Sequence, residues 1–191
     1  HGTITLSTGS GEGFVWIGLH APSEAQMTSI GETFGLHKLM IEDAVHAHQR
    51  PKLELYDGTL LLVLRSLHYI EHESLDQAND IVDGGEIEIF AGEDFVMTVR
   101  HGDHTELAGV RADLESHPDV LAQGPAAVVH AIADHVVDTY HEVSIAMGDD
   151  VDALEERTFT STHLDIDVIY LFKREVLELR RSVLPLEEPI T

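Results

Sequence analysis

Residues 60–64, Leu-Leu-Leu-Val-Leu, are apolar at five consecutive positions, which is typical of a strand buried on both faces. Helices are therefore predicted on either side of the sheet that contains this strand. The dipeptide Asp57-Gly58 favours a tight turn that pairs residues 52–56 with residues 59–70. The pattern thus predicts a hairpin whose second strand is the most buried strand of the protein.

A second hairpin is predicted further along the chain. Residues 86–90 and 95–100 alternate between apolar and polar side chains, and Gly92-Glu93-Asp94 between them favours a turn. The two hairpins together predict a sheet that is built partly from antiparallel pairs.

Helix-capping residues predict a first helix between Ser23 and Gly35. Ser23 and Gln26 fit a capping box, and Gly35 suits the left-handed residue that ends a helix. Three apolar residues at helical spacing should face the core: Met27, Ile30 and Phe34.

A second helix is predicted from about residue 36 to the vicinity of His48. It must stop there because Pro51 has no N–H and disfavours a helical residue before it. Three apolar residues of this helix should be buried: Leu36, Leu39 and Met40. Its end gathers two carboxylates, Glu42 and Asp43, and two histidines beside the predicted buried strand.

Two long helices are predicted after Pro125, which suits the first turn of a helix. Apolar residues recur three or four positions apart along the first helix: Val129, Ile132, Val136, Tyr140, Val143, Met147, Val151 and Leu154. A second series follows a polar break: Ile169, Phe172, Val176, Leu179 and Val183. The first helix would be about 45–50 Å long, and the two predict an antiparallel helical hairpin.

These elements predict an α/β protein. Residues 1–118 would form a three-layer α/β/α sandwich with a mixed sheet, and residues 119–191 would form the long helical hairpin. A narrow apolar stripe on such a hairpin needs a partner surface, either the sheet or another helix or subunit. Because the chain stops soon after Pro185, we expect it to be a fragment of a longer protein.

The charge of the chain narrows the choice of partner. With 35 acidic and 11 basic residues, the formal net charge is −24 at pH 7. Nucleic acid and anionic lipid would be repelled, whereas cations would be attracted. An acidic surface that serves solubility or salt tolerance explains the same charge without any ligand. Cysteine is absent, so disulfides and thiolate metal sites are excluded.

The end of the second helix holds the main candidates for metal chemistry. Carboxylate oxygens of Glu42 and Asp43 would suit Mg²⁺, whereas the His48 imidazole would suit cobalt, zinc or nickel. Solvated carboxylates are the competing interpretation, and His46 and His48 lack a third zinc ligand at a recognisable spacing. Five acidic residues of the first long helix are expected to be solvated: Asp149, Asp150, Asp152, Glu155 and Glu156.

In this region Ile41-Glu42-Asp43 is followed by His48-Gln49-Arg50-Pro51-Lys52. With this run the chain resembles the N-terminal cytoplasmic region of the CorA family of magnesium and cobalt transport proteins. Further pieces occur in the family's order: Val15-Trp16-Ile17, the Asp57-Gly58 hairpin, acidic residues 150–156, residues 173–181 and Pro185-Leu186. The family's stalk helix, two membrane helices and Gly-Met-Asn pore signature would lie beyond Thr191.

The resemblance implies a pentameric divalent-cation channel in the cell membrane rather than an enzyme. This chain would be its magnesium-sensing and gating domain on the cytoplasmic side, without direct contact to the membrane. The stalk and membrane helices would hold the pentamer, so we expect this fragment to be a monomer or to associate differently.

The resemblance also implies the metal-binding residues. Asp43 matches a position that helps to bind regulatory Mg²⁺ between neighbouring subunits, and Glu42 and His48 match positions near a second, weaker site. Co²⁺ or Zn²⁺ would be alternatives to Mg²⁺. Partner carboxylates would come from the stalk helix, so this chain would hold half of each site.

Two other functions remain open from the sequence. A zinc transporter of the same superfamily would share the architecture and differ in the ion. A soluble metal-dependent hydrolase would use His46, His48 and Asp43, although no nucleophile or general base is visibly paired with them.

Overall fold

The computed structural model of the protein describes residues 13–47, 49–75, 78–160 and 166–187. Five strands are present in this part of the chain: β1 Val15–His20, β2 Lys52–Tyr56, β3 Thr59–Tyr69, β4 Val82–Ala91 and β5 Phe95–His101. The helices are α1 Glu24–Phe34, α2 Lys38–Val45, α3 Ala108–Ser116, α4 Pro118–Leu121, α5 Pro125–Thr160 and α6 Ile166–Val183, with a 3₁₀ turn at Leu184–Leu186. The predicted α/β class is confirmed. No helix of the described ranges is both long and apolar enough to cross a membrane.

The strands form one mixed sheet in the order β1-β5-β4-β3-β2. β1 runs parallel to β5, and all other neighbours are antiparallel. The predicted hairpins are confirmed as β2–β3, which turns at Asp57-Gly58 with positive φ at both residues, and β4–β5. The pairing of β3 with β4 extends from Leu60↔Ala91 to Tyr69↔Val82. In the strand order β4 is the central strand and β3 is its neighbour.

Helices cover both faces of the sheet, as the run of apolar residues predicts. Leu61 and Val63 belong to a core cluster with residues of α1 and α2. Leu62 and Leu64 belong to the opposite cluster, to which α3, α5 and α6 contribute. The three-layer arrangement is thereby confirmed, with α5 as the main helix of the second layer.

The predicted ends of α1 are confirmed. The Ser23 hydroxyl accepts a hydrogen bond from the Gln26 N–H, and the Gln26 side chain accepts one from the Ser23 N–H. Gly35 follows the helix in the left-handed conformation, with φ of 66°. These local signals work because both partners lie within one turn of each other.

The prediction that Leu39 is buried was wrong, since Leu39 is 50% exposed. α2 rests on the sheet through Met40 and Ala44, which are four residues apart and fully buried. Leu39 therefore falls off the buried face of a helix that is only eight residues long.

α5 is a single long helix, as predicted, and its 36 residues make it about 54 Å long, slightly longer than expected. Most of the predicted apolar series is buried: Ile132, Val136, Tyr140, Val143 and Met147. The Tyr140 hydroxyl donates to the main-chain oxygen of Arg65, which ties the middle of the helix to β3. Beyond Asp150, Val151 is exposed, whereas Leu154 is partly buried against the core.

The predicted apolar series of α6 is only partly confirmed, because Phe172 and Leu179 are partly buried against the core and its other three residues are exposed. Ile169, Val176 and Val183 are 40–47% exposed, whereas Val168, Glu175 and Ser182 are buried. A glutamate at the centre of this face is stable because the Val82 N–H donates to Glu175 Oε2 at 3.0 Å. An apolar pattern cannot reveal this face, because its middle residue is charged.

Asp150 is buried, contrary to the expectation of a solvated helix end. The Tyr69 hydroxyl donates to Asp150 Oδ2 at 2.9 Å, and His72 Nε2 lies 3.2 Å from Asp150 Oδ1. Partial burial, reinforced by this hydrogen bond, raises the pKa of Tyr69 above its ordinary value. The polar contact fastens α5 to the end of β3 and to the residues that follow it.

α5 and α6 run antiparallel on the sheet. Tyr140 and Glu178 both contact Arg65, while Asp150 and Glu175 lie at the other end, where Tyr69 pairs with Val82. The division of the chain into residues 1–118 and 119–191 stays a prediction, and the two parts would share the core beneath α5.

Substitution of Gly85 by alanine should destabilise the fold. An added Cβ would lie 2.8 Å from the Asp103 main-chain oxygen, so the β4–β5 region would have to shift. We expect a loss of about 1–3 kcal/mol in the free energy of unfolding, measured by urea denaturation. Gly109→Ala in α3 is the control, because nothing lies within 4 Å of its added Cβ. Equal stability of the two variants would contradict the close approach at Gly85.

Candidate metal site

Hydrogen bonds to main-chain oxygens fix the end of α2. The His46 N–H donates to the main-chain oxygens of Glu42 at 3.2 Å and Asp43 at 3.1 Å. The His46 ring contacts the Glu42 main-chain oxygen through Nδ1 at 2.9 Å, and the Gln49 side chain donates to the His46 main-chain oxygen. The helix thus stops before Pro51, as predicted, and the chain turns into β2.

This turn places Asp43 of α2 beside two side chains of β2. Lys52 Nζ lies 2.7 Å from Asp43 Oδ2 and 2.9 Å from Glu54 Oε2. Lys52 and Glu54 reach the same side because successive strand residues alternate between faces. All three side chains are partly exposed, between 23% and 38%, so solvent ions can reach them.

The Lys52 ammonium is a cation built into the site. Partial burial works to lower the pKa of Lys52, but hydrogen bonds to Asp43 and Glu54 outweigh it and raise the pKa above its ordinary value. The hydrogen bond from Lys52 in turn lowers the pKa of Glu54. Any metal ion that binds Asp43 must therefore compete with a charged lysine.

The described candidate residues at the end of α2 have different surroundings. Asp43 is engaged by Lys52, Glu42 is exposed to solvent, and the His46 ring contacts its own helix. His48 lies outside the described residues. Across the described ranges, no group of three or more histidine and acidic residues is arranged to hold a metal ion.

Two acidic residues below α2 were missed by the sequence analysis. Glu86 and Glu88 on β4 are 2% and 0% exposed. Their alternation with apolar residues is typical of a strand with one face in solvent, but β4 is central and α2 covers this face as well. The apolar residues 60–64 of β3 could have revealed them, because such a run requires that both faces of the sheet are covered. A strand paired with β3, such as β4, is then covered on both faces as well.

Glu88 is an uncharged acid at neutral pH. Burial raises the pKa of Glu88 to about 9, and the nearby negative charges of Glu86 and Asp43 act in the same direction. The positive charge of Lys52 opposes them. The candidate site therefore consists of an accessible carboxylate with a lysine across it and a protonated carboxyl group beneath.

The donor set fits one part of a magnesium site. Mg²⁺ keeps several waters and uses one or two protein carboxylates, so Asp43 can supply one ligand after Lys52 is displaced. Glu54, whose Oε2 also contacts Lys52 Nζ, lies beside it and can supply a second. That this chain holds half of a site stays a prediction.

Comparison with known proteins gives a family. A family model described as "CorA-like Mg2+ transporter protein" matches residues 11–191. The putative metal ion transporter YfjQ of Bacillus subtilis is 29% identical over 174 residues, which cover 91% of this chain and 51% of the relative. The cobalt/magnesium transport protein CorA of Thermotoga maritima is 24% identical over 181 residues, which cover 92% of this chain and 49% of the relative. The chain thus spans about half the length of these relatives.

The fold also has a counterpart among solved structures. The soluble domain of CorA from Methanocaldococcus jannaschii superposes with a TM-score of 0.66 at 14% identity, over 96% of this chain and 73% of that domain. At such low identity the similarity establishes the fold alone.

The protonated state of Glu88 should make stability depend on pH. Its folded-state pKa of about 9 lies above the ordinary value, so the stabilisation is complete at low pH and is lost as the pH rises toward 9. We expect the free energy of unfolding of the native chain to fall relative to Glu88→Gln by up to about 1.4 kcal/mol per pH unit. Urea denaturation of both proteins between pH 5 and pH 9 measures this. A constant difference across that interval would contradict the assignment.

Proposed function

Because the chain belongs to the family of CorA-like Mg²⁺ transporter proteins, we propose that it is the magnesium-sensing and gating domain of a divalent-cation channel for magnesium and cobalt. In the whole protein this domain would lie on the cytoplasmic side of the cell membrane, within a pentamer. The observation that carries the proposal is the partly exposed Asp43 carboxylate, which a lysine now neutralises. Such a carboxylate is available to a cation that can displace the ammonium group.

The proposed mechanism is an exchange of cations at Asp43. Mg²⁺ would replace Lys52 Nζ as the partner of Asp43 and would take its other ligands from a neighbouring subunit. This chain carries a formal net charge of −24, so this part of each subunit would repel its neighbours unless cations lie between them. Bound Mg²⁺ would relieve this repulsion and hold the closed assembly, and its loss would free the subunits to move.

Family membership favours transport over hydrolysis. The named relatives are transport proteins, whereas the hydrolase interpretation needs His46 and Asp43 to act together, and they have different partners here. The zinc-transporter alternative stays a prediction. Transport assays with Mg²⁺, Co²⁺ and Zn²⁺ on the whole protein would separate these ions.

Magnesium should protect the whole protein from proteolysis through Asp43. We expect millimolar Mg²⁺ to slow limited proteolysis of the whole protein, because bound ions would hold the subunits together. Asp43→Ala should weaken this protection. Asp134→Ala, which removes an exposed aspartate of α5, is the matched control and should leave the protection intact. Equal cleavage with and without Mg²⁺ would contradict the proposal.

Removal of the competing lysine should strengthen magnesium binding. In Lys52→Gln, Asp43 loses its ion pair, so Mg²⁺ no longer has to displace an ammonium group. A partly exposed pair is worth about 0.5–1 kcal/mol, so the Mg²⁺ concentration for half protection should fall about twofold to fivefold. The same proteolysis titration measures the change. An unchanged or higher half-protective concentration would argue against cation exchange at Asp43.

A further inference from the structure

A basic cleft lies between the residues that precede β2 and the end of α6. Its volume is about 520 Å³. Four arginines line it, Arg50, Arg65, Arg180 and Arg181, together with one acidic residue, Glu178. The chain has eight arginines in total, so half of them lie around this cleft.

The charge of the cleft is opposite to that of the chain. Its ionisable lining carries four positive charges and one negative charge, although the whole chain has a formal net charge of −24. Guanidinium groups repel one another in close proximity, so such a cluster is unfavourable unless anions offset it. Within the described residues, Glu178 is the only acidic side chain that lines the cleft.

Two of the four cleft arginines have no ion-pair partner among the described residues. Arg65 Nη2 lies 3.1 Å from Glu178 Oε1, and Arg181 Nη1 lies 3.8 Å from Glu178 Oε2. Arg50 and Arg180 are exposed, and neither forms an ion pair with another described residue. Arg180 and Arg181 suit the C-terminal end of α6, but that effect does not explain why Arg50 and Arg65 come from two other elements to the same place.

We propose that this cleft binds a small anion with two or three linked phosphate groups, of the inorganic polyphosphate or nucleoside triphosphate class. Planar guanidinium groups bind phosphate oxygens through paired N–H donors, which makes arginine the preferred residue for phosphate recognition. A net positive charge of three matches the charge of a di- or triphosphate near neutral pH. The volume lies within the range of about 300–1,000 Å³ that is usual for small-molecule sites.

The phosphates, rather than a base, are the recognised part of the ligand. The other residues that line the cleft are polar or aliphatic, and none is aromatic: Gln49, Pro51, Leu177, Ser182, Leu184 and Pro185. A base would therefore lack an aromatic ring on which to stack. Tripolyphosphate and ATP should accordingly bind with similar affinity, and orthophosphate should bind more weakly because it reaches fewer arginines.

Glu178 is an internal competitor of the anion. It occupies Arg65 and approaches Arg181, so a phosphate must share or displace these contacts. Binding would draw the segment at Arg50 toward the end of α6. Loss of the Glu178 charge should strengthen binding, whereas loss of an arginine charge should weaken it.

Isothermal titration of the full 191-residue chain with sodium tripolyphosphate, in EDTA to remove divalent cations, tests the proposal. We expect saturable binding of one anion per chain, with ATP within about threefold and orthophosphate at least tenfold weaker. Arg50→Gln and Arg180→Gln should each weaken binding about threefold to tenfold, since one charge-assisted hydrogen bond is lost. Glu178→Gln should strengthen it.

Lys173→Gln is the matched control, because it removes an exposed positive charge from the same helix outside the cleft. It should leave the affinity unchanged. Equal weakening by Lys173→Gln and Arg50→Gln would overturn the proposal, since attraction would then depend on overall charge alone. Absence of saturable binding, or binding of ATP without binding of tripolyphosphate, would also overturn it. EDTA and the integrity of Asp43 in all variants keep this result separate from the magnesium proposal.

Discussion

The pairing of β3 with β4, with helices on both faces, is the constraint on which the other features depend. β4 has a neighbouring strand on each side and helices over both faces, so the Glu88 side chain near its centre cannot reach solvent. Glu88 is consequently protonated rather than exposed. α2 must cover the same face, and this brings Asp43 to Lys52 at the rim of the sheet. The candidate metal site thus results from the packing of α2 on this face of the sheet.

Local signals predicted the structure reliably where the interacting residues are close in the chain. The apolar residues 60–64, the capping box at Ser23 and the turn at Asp57-Gly58 were all confirmed, because each depends on neighbours within a few residues. Buried polar groups escaped prediction. Asp150 is stabilised by Tyr69, which lies 81 positions earlier, and Glu175 is stabilised by Val82, which lies 93 positions earlier. No periodic pattern of apolar residues contains that information.

The same distinction holds at the candidate site. The position of Asp43 at a helix end followed from the helix stop before Pro51, but its lysine partner lies nine residues further along and depends on the path of the turn. The burial of Glu88 can be predicted only when it is known which strands are central in the sheet. A sequence therefore indicates which carboxylate is available, whereas the structure indicates what already neutralises it.

The contact of Asp150 with Tyr69 and His72 has a mechanical consequence. α5 is fastened to the sheet at this point, and the ten residues from there to Thr160 extend for about 15 Å beyond it. Within these ten residues Leu154 is partly buried against the core, whereas Phe159 is 87% exposed. A tilt of this part of the helix by about 10° at Asp150 would move its end by about 3 Å, given the rise of an α-helix. Any change at the buried contact would therefore be larger at the exposed end of α5 than at the sheet.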